Sequence, residues 1–315
     1  MKQQKGIALI TILVMVALAT IIAATIAKRQ QYTLESTAYL MRQNQSLHYA
    51  KAAEAFYSEL LVLDSETSAE ADFLQESWAQ PMPPFPVEDG IVSGQLEDES
   101  GKFNLNSLLK ADGSPNPQMQ KVFEQLLQRV GLPATLSQAV MDWQDADDLS
   151  IGPMGAESQY YQGLTKPYLA ANRPFQSVEE LRLVRGFEAK NFDLIAPYLS
   201  ALPDVETKIN INTAPALLLA SIDEKLEVNR VADTLSQQQA KQAHFAKVSD
   251  LLETPAFNQL DAAAKTLANN VLDVKSAFFK ANIEVLLNQR RRQLSSHLIR
   301  KDKRVQVYSR SLAPF

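Results

Sequence analysis

The chain reads as an α+β protein in which a long N-terminal helix packs on an antiparallel sheet and a large all-α domain interrupts that sheet. Three observations lead there. An uncharged apolar stretch, residues 7–27, runs on into helical periodicity as far as about Leu63. Strand-like alternation occurs near residues 91–105 and again after residue 276. Between those two β regions, residues 106–272 carry mostly helical patterns. Strands on both sides of a helical block imply an insertion, because flanking strands can close one sheet while the block projects from it.

In chain order, IALITILVMVALATIIAATIA (7–27) contains only Thr11, Thr20 and Thr25 as polar residues. About 20 apolar residues in a helix, rising 1.5 Å each, span a hydrocarbon core of roughly 30 Å. The stretch exceeds the core of a removable secretory signal, which holds about 7–15 apolar residues, although Ala24-Thr25-Ile26-Ala27 offers a cleavage-like site. Lys2 and Lys5 on one flank and Lys28, Arg29 and Arg42 on the other leave orientation unresolved by charge alone.

From Lys28 onward Leu34, Ala38, Met41, Leu47, Ala50, Ala53, Phe56, Tyr57, Leu60 and Leu61 recur at helical spacing, and no proline precedes Pro81. The two segments form one stem of about 80 Å. PMPPFPVEDG (81–90) reads as a proline-rich linker and turn. The segment that follows, through Asn106, alternates as a hairpin. Helix candidates then include residues 117–131, 136–144, 177–186, 189–200, 214–222, 231–244 and 248–253. Residues 276–288, 292–300 and 304–312 read as consecutive antiparallel strands, with Arg290-Arg291-Arg292 as a turn. The expected units are 1–6, 7–27, 28–105, 106–272 and 273–315.

Composition excludes several chemistries. With 315 residues and 46% apolar content, the chain can bury one or two sizeable cores. It has no cysteine, so disulfides, thiolate metal sites and thiol nucleophiles are ruled out. Net charge is −5, yet residues 275–315 hold ten Lys/Arg against Glu284 and Asp302. That basic end reads as a solvated rim or a partner-docking surface rather than a nucleic-acid site. His48, His244 and His297 have no metal-ligand spacing, and no phosphate loop or G-x-S-x-G elbow is present. The chain reads as a non-enzyme.

Two internal features stand out. Phe103-Asn104-Leu105-Asn106-Ser107 is echoed by Ile209-Asn210-Ile211-Asn212-Thr213, each an N-x-N step into a helix start with capping side chains. Second, VMDWQDADDLSIGPMGAESQYY (140–161) crowds Asp142, Asp145, Asp147 and Asp148 into seven residues, with glycine turns and Glu157 beyond. Such carboxylates repel unless water screens them or a cation neutralises them. All-oxygen donors in a turning loop suit Ca²⁺. The spacing is not that of an EF-hand, since Ser150 and Ala156 fall where its glycine and glutamate belong. By spacing alone the segment reads as a solvated acidic turn.

The N-terminus K-Q-Q-K-G|I-A-L-I-T-I-L resembles the processing site of type IV prepilins and pseudopilins. That resemblance implies a leader, residues 1–6, cut after Gly6 by the prepilin peptidase, with methylation of the new terminus at Ile7. Most of that family carry glutamate at the fifth mature position, where it pairs with a neighbour's terminal amine. Here the position is Thr11. This absence, the inserted helical domain and the acidic loop D-W-x-D-x-D-D…G-A-E-x-x-Y-Y together resemble the K members of the minor pseudopilins of type II secretion systems.

The resemblance implies a pseudopilin fold and structural Ca²⁺ at Asp142, Asp145, Asp147, Asp148 and Glu157, with Trp143, Tyr160 and Tyr161 packing around the loop. It implies a single-pass protein of the bacterial inner membrane with its C-terminal domain in the periplasm. It places the chain at the tip of a pseudopilus, starting or capping assembly and aiding export of folded proteins. Its implied partners are the I, J and H minor pseudopilins, the major pseudopilin, the peptidase, and an exoprotein or the outer-membrane secretin, with no nucleic acid. Two alternatives remain open at this stage. One is a membrane-anchored DNA-uptake protein, because V-E-E-L-R-L-V-R-G-F before N-I-N-T-A-P resembles a helix-hairpin-helix module. The other is a minor pilin of a type IV pilus.

Overall fold

The computed structural model describes residues 5–67 and 70–313. In order, its elements are α1 (Lys5–Thr67), β1 (Phe85–Val87), β2 (Gly90–Asp98), β3 (Phe103–Asn104), α2 (Pro117–Arg129), α3 (Leu136–Asp142), α4 (Ser158–Gln162), α5 (Lys190–Ile195), β4 (Leu199–Ser200) and β5 (Ile209–Asn210). There follow α6 (Ala216–Ala220), α7 (Val228–Ala240), α8 (Val248–Leu252), α9 (Ala262–Val271), β6 (Leu272–Asp273), β7 (Phe278–Leu287), β8 (Arg290–Lys301) and β9 (Arg304–Ser311).

Helix α1 has 63 residues, about 95 Å at 1.5 Å per residue. It is the one helix among the described residues long and apolar enough to cross a membrane. Its threonines are satisfied within the helix: the hydroxyls of Thr11, Thr20 and Thr25 donate to the carbonyls of Ala8, Val16 and Ile21 at 2.8–2.9 Å. An apolar environment therefore meets no unpaired hydroxyl proton there. Further along, Ser46, Ala50, Glu54, Tyr57, Leu61 and Asp64 are buried, a stripe of steps of three and four that turns one helix face onto the sheet.

That sheet is antiparallel with strand order β1-β2-β7-β8-β9. β2 and β7 are hydrogen-bonded neighbours from Gly90↔Leu287 to Asp98↔Phe279, although the chain between them makes the whole inserted unit. Alternate residues of β7, from Phe279 through Ala281, Ile283 and Val285 to Leu287, join Val92, Leu96, Leu294, Leu298 and Trp78 in a core closed by α1. Gly94 lets β2 approach the helix: a Cβ there would lie 2.9 Å from the Tyr57 hydroxyl. A second, larger core runs from Phe103 to Val274 and draws in Ala71.

Four expectations change. The hairpin is not 90–106. It is β1 with β2, so the proline-rich segment supplies a strand, with Pro86 tolerated because β1 is an edge strand. Phe103 and Asn104 pair instead in parallel with Leu199 and Ser200. Arg290–Arg292 is not a turn but the start of β8, and the reversal is made by Asn288 and Gln289 at φ 48° and 66°. Those positive angles give the two-residue turn whose twist matches the strands. The inserted unit is helical but also holds two parallel two-residue pairs, β3/β4 and β5/β6. Helices α4 and α9 are additional to the helices anticipated.

The N-x-N echo turns out to be a duplicated module. In each copy the first asparagine sits in a strand paired in parallel, and its Oδ1 accepts from the second asparagine's amide, at 3.1 Å for Asn104–Asn106 and 2.9 Å for Asn210–Asn212. The second asparagine then clasps a phenylalanine backbone by accepting from its N–H and donating to its carbonyl. Asn106 does this to Phe175 (2.7 and 2.9 Å) and Asn212 to Phe245 (2.8 and 3.1 Å). A buried amide that uses both ends fixes a loop more firmly than either bond alone.

Candidate metal centre

Helix α3 ends at Asp142, which places that carboxylate at the mouth of the loop, fully buried. The turn after α3 carries Asp145, and Glu157 stands immediately before α4 without capping it. One carboxylate oxygen from each of Asp142, Asp145 and Glu157 lies within 4.8 Å of the other two. Asp142 also shapes the loop, since its oxygens accept the Ile151 amide at 3.0 and 3.2 Å. Gly155 passes against it, and a Cβ there would come within 2.4 Å of Asp142 Oδ2. The loop is pinned near its C-terminal end by Met154 N donating to Gln138 Oε1 (3.0 Å) and by Arg185 Nη1 donating to Gly155 O (3.0 Å).

The electrostatics are unbalanced. Asp145 Oδ1 and both oxygens of Glu157 are buried with no hydrogen-bond partner among the described residues. Burial, then the neighbouring carboxylates, push Asp145 up to about 6 and Glu157 up to about 8. Burial likewise raises Asp142, against the lowering effect of its backbone bonds. A carboxylate oxygen removed from water without a donor is costly, and such orphans are rare. A hard cation would supply what is missing, and these residues fit the oxygen-donor chemistry of Ca²⁺.

Of the five predicted ligands, three converge. Asp147 is exposed and its Oδ1 accepts the Leu149 amide at 2.8 Å, and Asp148 is exposed as well. Both lie near enough to raise Glu157 by charge without joining the converging set. Behind the loop Trp143 meets the edge of Tyr161 at 5.2 Å and stacks with Phe175 at 6.5 Å, a packed wall. Tyr160 packs edge-on against Tyr161 at 5.2 Å, at the outer side of that wall. It is 37% exposed and carries the Arg185 guanidinium 4.8 Å over its ring. The remaining predicted positions, Gly6 and Ile7, fall in the first turn of α1, while residues 1–4 of the expected leader lie outside the described residues.

The Arg185–Glu188 hairpin bears on nucleic-acid binding. Gly186, at φ 89°, donates its amide to Glu188 Oε1 at 3.2 Å. The amide that would meet a phosphate already holds a carboxylate, whose charge repels one.

Family models described as type II secretion system (T2SS), protein K, match residues 101–204 and 209–275, one on each copy of the duplicated module. The chain is 34% identical to type II secretion system protein K of Aeromonas hydrophila, over 98% of this chain and 97% of the relative. It is 35% identical to the protein of that name from Pseudomonas aeruginosa, over 98% and 93%, and 30% identical to that of Klebsiella pneumoniae, over 98% and 96%. The fold matches a chain of the crystal structure of the GspK–GspI–GspJ complex from the enterotoxigenic Escherichia coli type 2 secretion system. That match has a TM-score of 0.79 at 23% identity and covers 89% of this chain and 99% of the other. The chain belongs to the type II secretion system protein K family.

Proposed function

We propose that this protein is the minor pseudopilin at the tip of a type II secretion pseudopilus, where it initiates or caps assembly and assists export of folded proteins. The observation that carries this reading is an exposed, carboxylate-free apolar segment at the start of the stem, residues 7–27, with Thr11 satisfied by its own helix, joined to a head widened by a large insertion. In a stack of apolar stems, a subunit with no neighbour ahead has no amine to neutralise a buried acid, so threonine suits it. The bulk of residues 103–274 favours an end position over one inside a packed shaft.

On this reading residues 7–27 anchor the chain in the inner membrane with the head in the periplasm. The peptidase removes residues 1–6 and Ile7 is methylated. The neighbours are the I, J and H minor pseudopilins and the major pseudopilin. An exoprotein or the secretin is met at the exposed end. Asp142, Asp145 and Glu157 hold Ca²⁺, with Asp147 and Asp148 adding negative charge at its rim. The ion then ties a loop whose charges oppose folding, so binding and local order are coupled.

Processing is read by mass spectrometry of the mature protein from membranes. The expected N-terminus is methylated Ile7. An intact Met1, or a cut near Ala27, contradicts the pathway.

A further inference from the structure

Where the two cores meet, the end of α1, the loop after it and β8 enclose a second acidic group. Asp64, in the last turns of α1, and Asp72 and Glu76, in the loop, are 4%, 3% and 6% exposed. One carboxylate oxygen from each lies within 4.8 Å of the other two. Arg300 of β8 donates to Asp64 Oδ2 at 2.8 Å, to Asp72 Oδ1, and to the Ser276 carbonyl at 2.9 Å. It makes no hydrogen bond to Glu76 among the described residues. Glu76 Oε2 accepts from Phe73 N at 3.0 Å and Trp78 Nε1 at 2.8 Å, whereas Oε1 is buried with no partner among the described residues.

With all three ionised, three carboxylates against one guanidinium would leave two negative charges in a site removed from water. A fourth, Asp98, lies near enough to Asp72 for their charges to interact and is held by the hydroxyls of Ser276 and Thr213 at 2.5 Å each. Buried like charges persist only if they are neutralised. Asp72 Oδ2 accepts the Ser276 amide at 2.7 Å, so the open atom among the described residues is Glu76 Oε1, and the carboxylate oxygens around it are the donors that suit hard divalent cations.

We propose that Asp64, Asp72 and Glu76 form a second divalent-cation site, separate from the acidic loop, which takes Ca²⁺ at the junction of stem and inserted unit. The ion gives Glu76 Oε1 its partner and, with Arg300, balances the three carboxylates. Its mechanical effect follows from the attachments of Asp72, whose N–H donates to the Val274 carbonyl at 2.9 Å and whose carbonyl accepts Asn210 Nδ2 at 3.0 Å. Both Val274 and Asn210 belong to the inserted unit. A cation shared by Asp64 and Asp72 therefore clamps the end of the stem helix to that unit.

Trp78, bonded to Glu76, is a built-in antenna for Tb³⁺. The test uses the full chain in detergent with Asp145→Asn and Glu157→Gln to disable the acidic loop. Tryptophan-sensitised Tb³⁺ emission, displaced by Ca²⁺, is expected to persist in this background. It should fall at least fivefold when Glu76→Gln or Asp64→Asn is added, with the thermal transition retained. Loss of all saturable emission in the background variant overturns the proposal, and so does emission indifferent to both additions. Failure of the acidic-loop reading would show separately, as equal Ca²⁺ binding with and without the Asp145 and Glu157 changes.

Discussion

In chelator, Glu157→Gln is expected to stabilise the protein, and the gain should grow from pH 6 to pH 8. The folded state holds Glu157 at about 8 and Asp145 at about 6, against ordinary values of 4.5 and 3.8. Both are raised, so the folded chain binds more protons than the unfolded chain between those limits, and stability falls as pH rises. The contribution is fully present below about pH 4 and is lost as pH passes 6 and then 8. Glutamine keeps the shape and removes the titration. A gain of about 1–3 kcal/mol, the cost of a buried unsatisfied group, should raise Tm by several degrees at pH 8 and by little at pH 5. With Ca²⁺ at one hundred times the acidic loop's Kd, wild type gains about 2.7 kcal/mol from that site, or roughly 5–10 °C, an increment the variant lacks. Differential scanning calorimetry at the two pH values, with and without Ca²⁺, reads all four states. A wild-type Tm unmoved by millimolar Ca²⁺ would remove the acidic-loop site.

The second large effect belongs to Arg300. Its side chain is 10% exposed and meets Asp64 and Asp72, themselves 3% and 5% exposed in their side chains. Arg300→Ala leaves two buried carboxylates without their guanidinium, which costs about 3–5 kcal/mol. The expected result in chelator is a Tm lower by about 6–20 °C. Arg300→Lys should recover only part of the loss, because one ammonium cannot reproduce a fork that reaches Asp64, Asp72 and the Ser276 carbonyl together. A loss below about 1 kcal/mol, the scale of a surface ion pair, would show that solvent reaches the cluster.

These two sites differ in how far the sequence revealed them. Asp142, Asp145 and Glu157 lie within sixteen residues, so composition and resemblance located the loop. What sequence could not separate was Asp147 and Asp148, which have the same residue type but point outward once Asp142 binds the Ile151 amide. Arg300 is 236 residues from Asp64 and 228 from Asp72, and no local pattern announces a partnership at that range. Asp72 and Glu76 read only as polar residues after a helix.

The same contrast governs the fold. The stem was legible because its period holds from Ser46 to Asp64, and the terminal strands because β7 alternates cleanly on its buried face. Phe103 and Leu105 misled, since their alternation comes from a parallel pair with β4 and the turn behind it rather than from a hairpin. Helix α9, AAAKTLANNV, has small residues where an apolar stripe would advertise a helix, and its clearest local signal is Asp261 capping the Ala264 amide at 2.9 Å. The paired N-x-N steps were visible as text, but their shared role in clasping Phe175 and Phe245 required tertiary structure.

The central claim concerns place and number: one copy, at one end. Site-specific labelling of the inserted unit on sheared pseudopili, imaged by electron microscopy and counted against the major subunit, tests it directly. Label confined to a single filament end, at about one copy per filament, is the predicted result. Label spaced along the shaft would contradict the account.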